Sequence, residues 1–175
     1  MTGRRSRRAP IRTRVALAAT LLALPGARSH AQAPDALSAE TARSLDADVR
    51  ASRRSCPGEA ITVTVQPAPL NPAVVARVVN LAASLCFGQP GQNAYLLAKS
   101  PRGWKRVLSA TPGFIKVEGT RHGGYADLAL TYIGMCRLSY RWNGRGYANA
   151  GSEGCGNLGK APAVKPLPQA AGGGR

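Results

Sequence analysis

Four cysteines, Cys56, Cys86, Cys136 and Cys155, constrain this chain more than any other feature, and none precedes residue 56. An even number of widely spaced cysteines in a small chain reads as two disulfides made in an oxidising compartment. A zinc site needs closely spaced Cys or His ligands, and intervals of 30, 50 and 19 residues contain no such pair, so no metal and no cofactor is expected. Three connectivities are open. Pairing of neighbours, Cys56 with Cys86 and Cys136 with Cys155, is favoured because each link flanks one local unit and the second closes a hairpin.

The N-terminus agrees with that compartment. Residues 1–14 carry Arg4, Arg5, Arg7, Arg8, Arg12 and Arg14 without an acid, and VALAATLLALPGA follows as an apolar run too short to span a bilayer. This is the pattern of a secretory signal peptide over residues 1–33, with a cleavage site at Ala31-Gln32-Ala33. Losing its seven arginines would lower the net charge from +16 to +9 and leave one exported domain, periplasmic or secreted, over residues 34–159. No second apolar run reaches transmembrane length. The last stretch, 160–175, is rich in Pro, Gly and Ala without apolar periodicity and reads as a disordered tail.

Within the domain, residues 38–54 space Ala42, Leu45 and Val49 for one short helix. AITVTVQ alternates as a half-buried strand. NPAVVARVVNLAASLC, 71–86, offers Asn71 as N-cap, Pro72 at the first helical position and a stripe of Val74, Val75, Val78, Val79, Ala82 and Leu85, which predicts a second helix. From 93 to 150 the pattern becomes strands and turns, with Asn143-Gly144 marking a tight hairpin. The expected fold is α+β: an antiparallel meander of five to six strands with two helices packed on one face. Strand alternation sends Leu138, Tyr140 and Trp142 to the core side of CRLSYRW, and Arg137, Ser139 and Arg141 to the other. Trp104 and Trp142 read as apolar anchors beneath hairpins.

GWKRVLS at 103–109, GYADL at 124–128 and IGMCRLSYRWNGRGY at 133–147 resemble a group of small exported proteobacterial proteins with no assigned activity. These share a Gly-x-x-Asp-apolar strand, Gly-x-x-Asp-Leu here, and a Cys…Trp-Arg-Trp-Asn-Gly-x-x-Tyr hairpin whose first Trp is Tyr140 in this chain. The resemblance covers residues 80–155 and implies a compact exported β-rich domain without implying any chemistry. Integrin-like repeats have a similar strand after a calcium-binding loop, but here Gly119–Gly124 holds Arg121 and His122 where oxygen ligands would be needed.

No arrangement suitable for catalysis emerges. His122 sits in a Gly-rich turn, and Glu118 with Asp127 is the one carboxylate pair available for acid–base work. The charge carries more information. Between residues 94 and 149 nine basic residues face Glu118 and Asp127, a balance of +7. Arg137, Arg141, Arg145, Arg102, Lys105 and Arg106 are the candidate polyanion-binding set, suited to anionic polysaccharide or lipid headgroups; an exported location disfavours nucleic acid. The alternative is an inhibitor or interaction partner of a secreted or periplasmic protein, with a hydrolase less favoured.

Overall fold

A computed structural model describes residues 36–83, 85–88, 91–132, 136–156 and 161–168. All belong to one unit, residues 33–175; the expected signal peptide lies outside the described residues. Two short helices, α1 (Ala36–Arg43) and α2 (Asp46–Ser55), precede eight strands. In order these are β1 (Thr62–Pro67), β2 (Ala76–Ala82), β3 (Gln92–Ser100), β4 (Gly103–Ala110), β5 (Phe114–His122), β6 (Tyr125–Thr131), β7 (Arg137–Trp142) and β8 (Tyr147–Glu153). They form two antiparallel sheets, β1-β2-β3-β4 and β5-β6-β7-β8. The single meander of five to six strands is therefore corrected to two four-stranded meanders. No helix among the described residues is long and apolar enough to cross a membrane.

The helix predicted over 71–86 is absent. Asn71 accepts a hydrogen bond from the Ala73 amide at 2.9 Å, but its carbonyl closes a turn with Val74 and the chain leaves extended. β2 then pairs with both β1 and β3. Val78 faces the cluster between the sheets, whereas Val79 and Leu81 face a second cluster with Leu45 of the helical segment. Both faces being buried, the strand loses its period-two signature and mimics a helical stripe. Its stiff valines then favour the extended form. The helix expected over 38–54 is broken at Ser44, whose hydroxyl donates to the Thr41 carbonyl at 2.6 Å, while Leu45 turns inward to 1% exposure.

The core between the sheets joins Leu96, Leu108 and Ala110 to Ile115, Leu128, Leu130, Leu138 and Tyr140. The passage from β4 to β5 requires Gly113, because a Cβ there would stand 2.5 Å from the Thr131 carbonyl oxygen. The predicted sidedness of β7 holds: Leu138 and Tyr140 are buried, and Trp142 packs on the same cluster. Both disulfides join neighbours, Cys56–Cys86 and Cys136–Cys155.

The tail is the second major correction. Residues 161–168 form a strap: the Lys165 amide donates to the Val107 carbonyl at 2.8 Å, and the Tyr140 hydroxyl donates to the Pro162 carbonyl at 3.0 Å. Ala161, Val164 and Leu167 contact the core. Their spacing of three is the repeat of an extended proline-rich chain, a period that neither helical nor strand templates detect. Residues 157–160 and 169–175 lie outside the described residues.

Candidate anion-binding cleft

The six candidate cations fall into two groups on different sheets. Arg102, Lys105 and Arg106 belong to the β3–β4 hairpin, whereas Arg137 and Arg141 lie on β7 and Arg145 in the β7–β8 turn. Their electrostatic situations differ enough to decide between them.

On the β7 side the positive charge is largely matched. Arg137 Nη2 meets Glu118 Oε1 at 2.7 Å, and Lys116 Nζ meets Glu118 Oε2 at 3.0 Å. Arg141 Nε stands 4.0 Å from Asp127 Oδ2. Asp127 also accepts from the Thr120 hydroxyl at 2.7 Å and lies 2.7 Å from His122 Nδ1. Three cations thus share a surface with two carboxylates. The carboxylates that catalysis would need are engaged in holding β5, β6 and β7 together.

These contacts predict an acid limb in stability. Burial alone would raise the Asp127 pKa, but hydrogen bonds from Thr120 and His122 and the nearby His122 and Arg141 charges outweigh it and hold it below the ordinary value. Glu118 is lowered by its Lys116 hydrogen bond and by Arg137, against an opposing desolvation. A carboxyl with a depressed folded-state pKa stabilises above its unfolded pKa, roughly 4, and loses that contribution as pH falls through the lower folded value. Thermal midpoints should therefore fall steadily below about pH 4, and Asp127→Asn should flatten that slope. An unchanged slope in the variant would count against the arrangement.

The β4 side is different. Edge strand β4 and the strap enclose a groove of 540 Å³ lined by Lys105, Arg106, Lys165, Pro166, Leu167 and Pro168. An adjoining hollow of 190 Å³ shares Lys105 and Pro168 and adds Ser100, Pro101 and Arg102. Arg106 is bound to Asp48 of α2 at 2.5 Å and lies 4.5 Å from the Tyr95 ring centre, so its charge is offset. Arg102, Lys105 and Lys165 have no carboxylate partner among the described residues. Arg145, in the β7–β8 turn, also has no carboxylate partner among the described residues, so the β7 side keeps a smaller positive excess. Three uncompensated cations on adjoining hollows attract an anion more strongly.

The sequence does not single out Lys165, because the Pro-, Gly- and Ala-rich composition of 160–175 predicts no structure. Its signal was the spacing of Ala161, Val164 and Leu167, which sets Lys165 beside the core rather than in solvent-borne chain. The proline rings and lysine stems give the cleft an apolar floor beneath its charges. No protein family, curated protein or solved structure matches this chain.

Proposed function

We propose that this is an exported binding protein whose cleft between the β3–β4 hairpin and the C-terminal strap holds anionic groups of envelope polymers, either acidic polysaccharide or lipid headgroups. The observation that carries the reading is the convergence of Arg102, Lys105 and Lys165 on adjoining hollows without a neutralising carboxylate. Two disulfides suit an oxidising compartment where such polymers are met. The reading is of binding rather than catalysis, since the His122–Asp127 pair lies outside the cleft and is committed to strand contacts.

Retention on heparin across a salt series tests it. Exposed charges act through screened Coulomb attraction, so wild type should elute at salt well above that needed for a neutral domain. Replacing Arg102, Lys105 and Lys165 by Ser should move elution to markedly lower salt, while replacing Arg137, Arg141 and Arg145 should change it far less. Equal retention of wild type and the cleft variant, or a larger loss in the second variant, would refute the assignment.

A further inference from the structure

Two open sheets leave four edge strands, and three of them are guarded against pairing with another chain. The β4 edge is occupied by the strap at Val107 and flanked by Lys105, Arg106 and Lys165. On β5 the register shifts between Val117 and Arg121, and Lys116, Glu118 and Arg121 add charge. β8 carries Gly151 and Glu153 and faces a register shift at Ser139/Tyr140. Bulges, charges and covering segments are the usual means of blunting a sheet edge.

β1 has neither bulge nor charge; α1 packs against the strand and Pro67 closes it, but no segment pairs with its free edge among the described residues. Its six residues pair with β2 in unbroken register, and no charged residue lies between Glu59 and Arg77. Thr62, Thr64 and Gln66 are exposed, and Val63 and Val65 are half-buried against the Leu45 cluster. Among the described residues no backbone hydrogen bond leaves Thr62–Gln66 on the side away from β2.

We propose that β1 is a homodimer edge, at which a second copy of this chain pairs its own β1 antiparallel and joins two four-stranded sheets into one. A two-fold centred on Thr64 sets Val63 of each copy opposite Val65 of the other. The half-buried stripe of Ile61, Val63 and Val65 then continues across the junction, giving both copies burial that neither has alone. Charge selects the same edge. With a net charge of +16, or +9 without residues 1–33, the chain repels its copies through the cationic cleft, and β1 is where two like-charged molecules meet across neutral surface. An acidic partner would instead be drawn to the cleft.

Six paired residues make a small interface, so association belongs to the weak class, read by sedimentation velocity of the full chain from about 10 to about 300 µM. The mass should rise toward twice the monomer's across that range. Thr64→Lys sets two like charges face to face at the two-fold and should weaken association at least tenfold, with the thermal midpoint at low concentration unchanged. Thr62→Lys with Gln66→Lys sets Lys substitutions at 62 and 66 of opposite copies face to face and gives the same result if the Thr64 variant fails to fold, and Thr64→Val should keep the dimer. Monomer mass throughout, or a dimer that survives both lysine variants, would overturn the proposal.

Discussion

Tyr140→Ala is expected to lower the thermal midpoint by roughly 10–20 °C, the equivalent of about 3–5 kcal/mol. The ring is 1% exposed at the centre of β7 and belongs to the cluster that both sheets share. Truncation leaves a ring-sized void in a densely packed interior, where neighbours relax only partly. That cost is a large share of the 5–15 kcal/mol that typically separates folded from unfolded domains. Tyr140→Phe isolates the other role of this side chain. It keeps the ring but removes the hydrogen bond to the Pro162 carbonyl, with an expected loss of about 1 kcal/mol. Because the strap carries Lys165, this variant should also elute from heparin at lower salt than wild type. Thermal melts by circular dichroism and the same salt series check both parts. A melt of Tyr140→Ala within a few degrees of wild type would show that the two sheets do not depend on this ring.

Removing the Cys136–Cys155 bridge, as Cys136→Ala with Cys155→Ala, is expected to cost about 3 kcal/mol from the chain-entropy model for a loop of this length. The local effect should exceed the global one. Cys136 is 2% exposed at the entry to β7, whereas β8 is exposed from Asn149 to Glu153 and has little packing of its own after Tyr147. The bridge pins its far end. Hydrogen exchange of the β8 amides should accelerate more than that of β6 and β7. Equal protection in the variant would mean that the ladder to β7 holds β8 unaided. The Cys56–Cys86 bridge closes a longer loop, of 30 residues rather than 19, but closure entropy grows only logarithmically, so the two bridges differ by well under 1 kcal/mol on this account.

The legible parts of this fold were those with a local cause. Alternation along CRLSYRW placed Leu138 and Tyr140 inward and Arg137 and Arg141 outward, because successive strand residues face opposite sides whatever the neighbours are. Neighbour pairing of the cysteines was favoured because each pair flanks one local unit. The segment 76–82 was illegible for the opposite reason. Whether Val78 and Val79 face one environment or two depends on a layer on each side of β2, contributed by residues as distant as Leu45 and Leu130.

The cleft shows the same division. Arg102, Lys105 and Arg106 could be named from charge alone, but charge alone did not separate them from Arg137 and Arg141. Glu118 and Asp127 compensate one group, Asp48 offsets Arg106 only, and Lys165 joins from a segment whose composition suggested no structure.

By itself, then, the amino-acid sequence determined that four cysteines make two disulfides, the strand-rich second half and its hairpins, the sidedness of β7 and the excess of positive charge, all properties that short stretches carry in their own spacing and composition; which cysteines pair was decided by the fold. Only the tertiary structure decided that the strands divide into two stacked sheets, that 76–82 is a strand, that the C-terminal strap lies against β4, and which cations remain without a counter-charge. Those outcomes depend on contacts between residues far apart in the chain, where burial on two faces and pairing across sheets outweigh local preference.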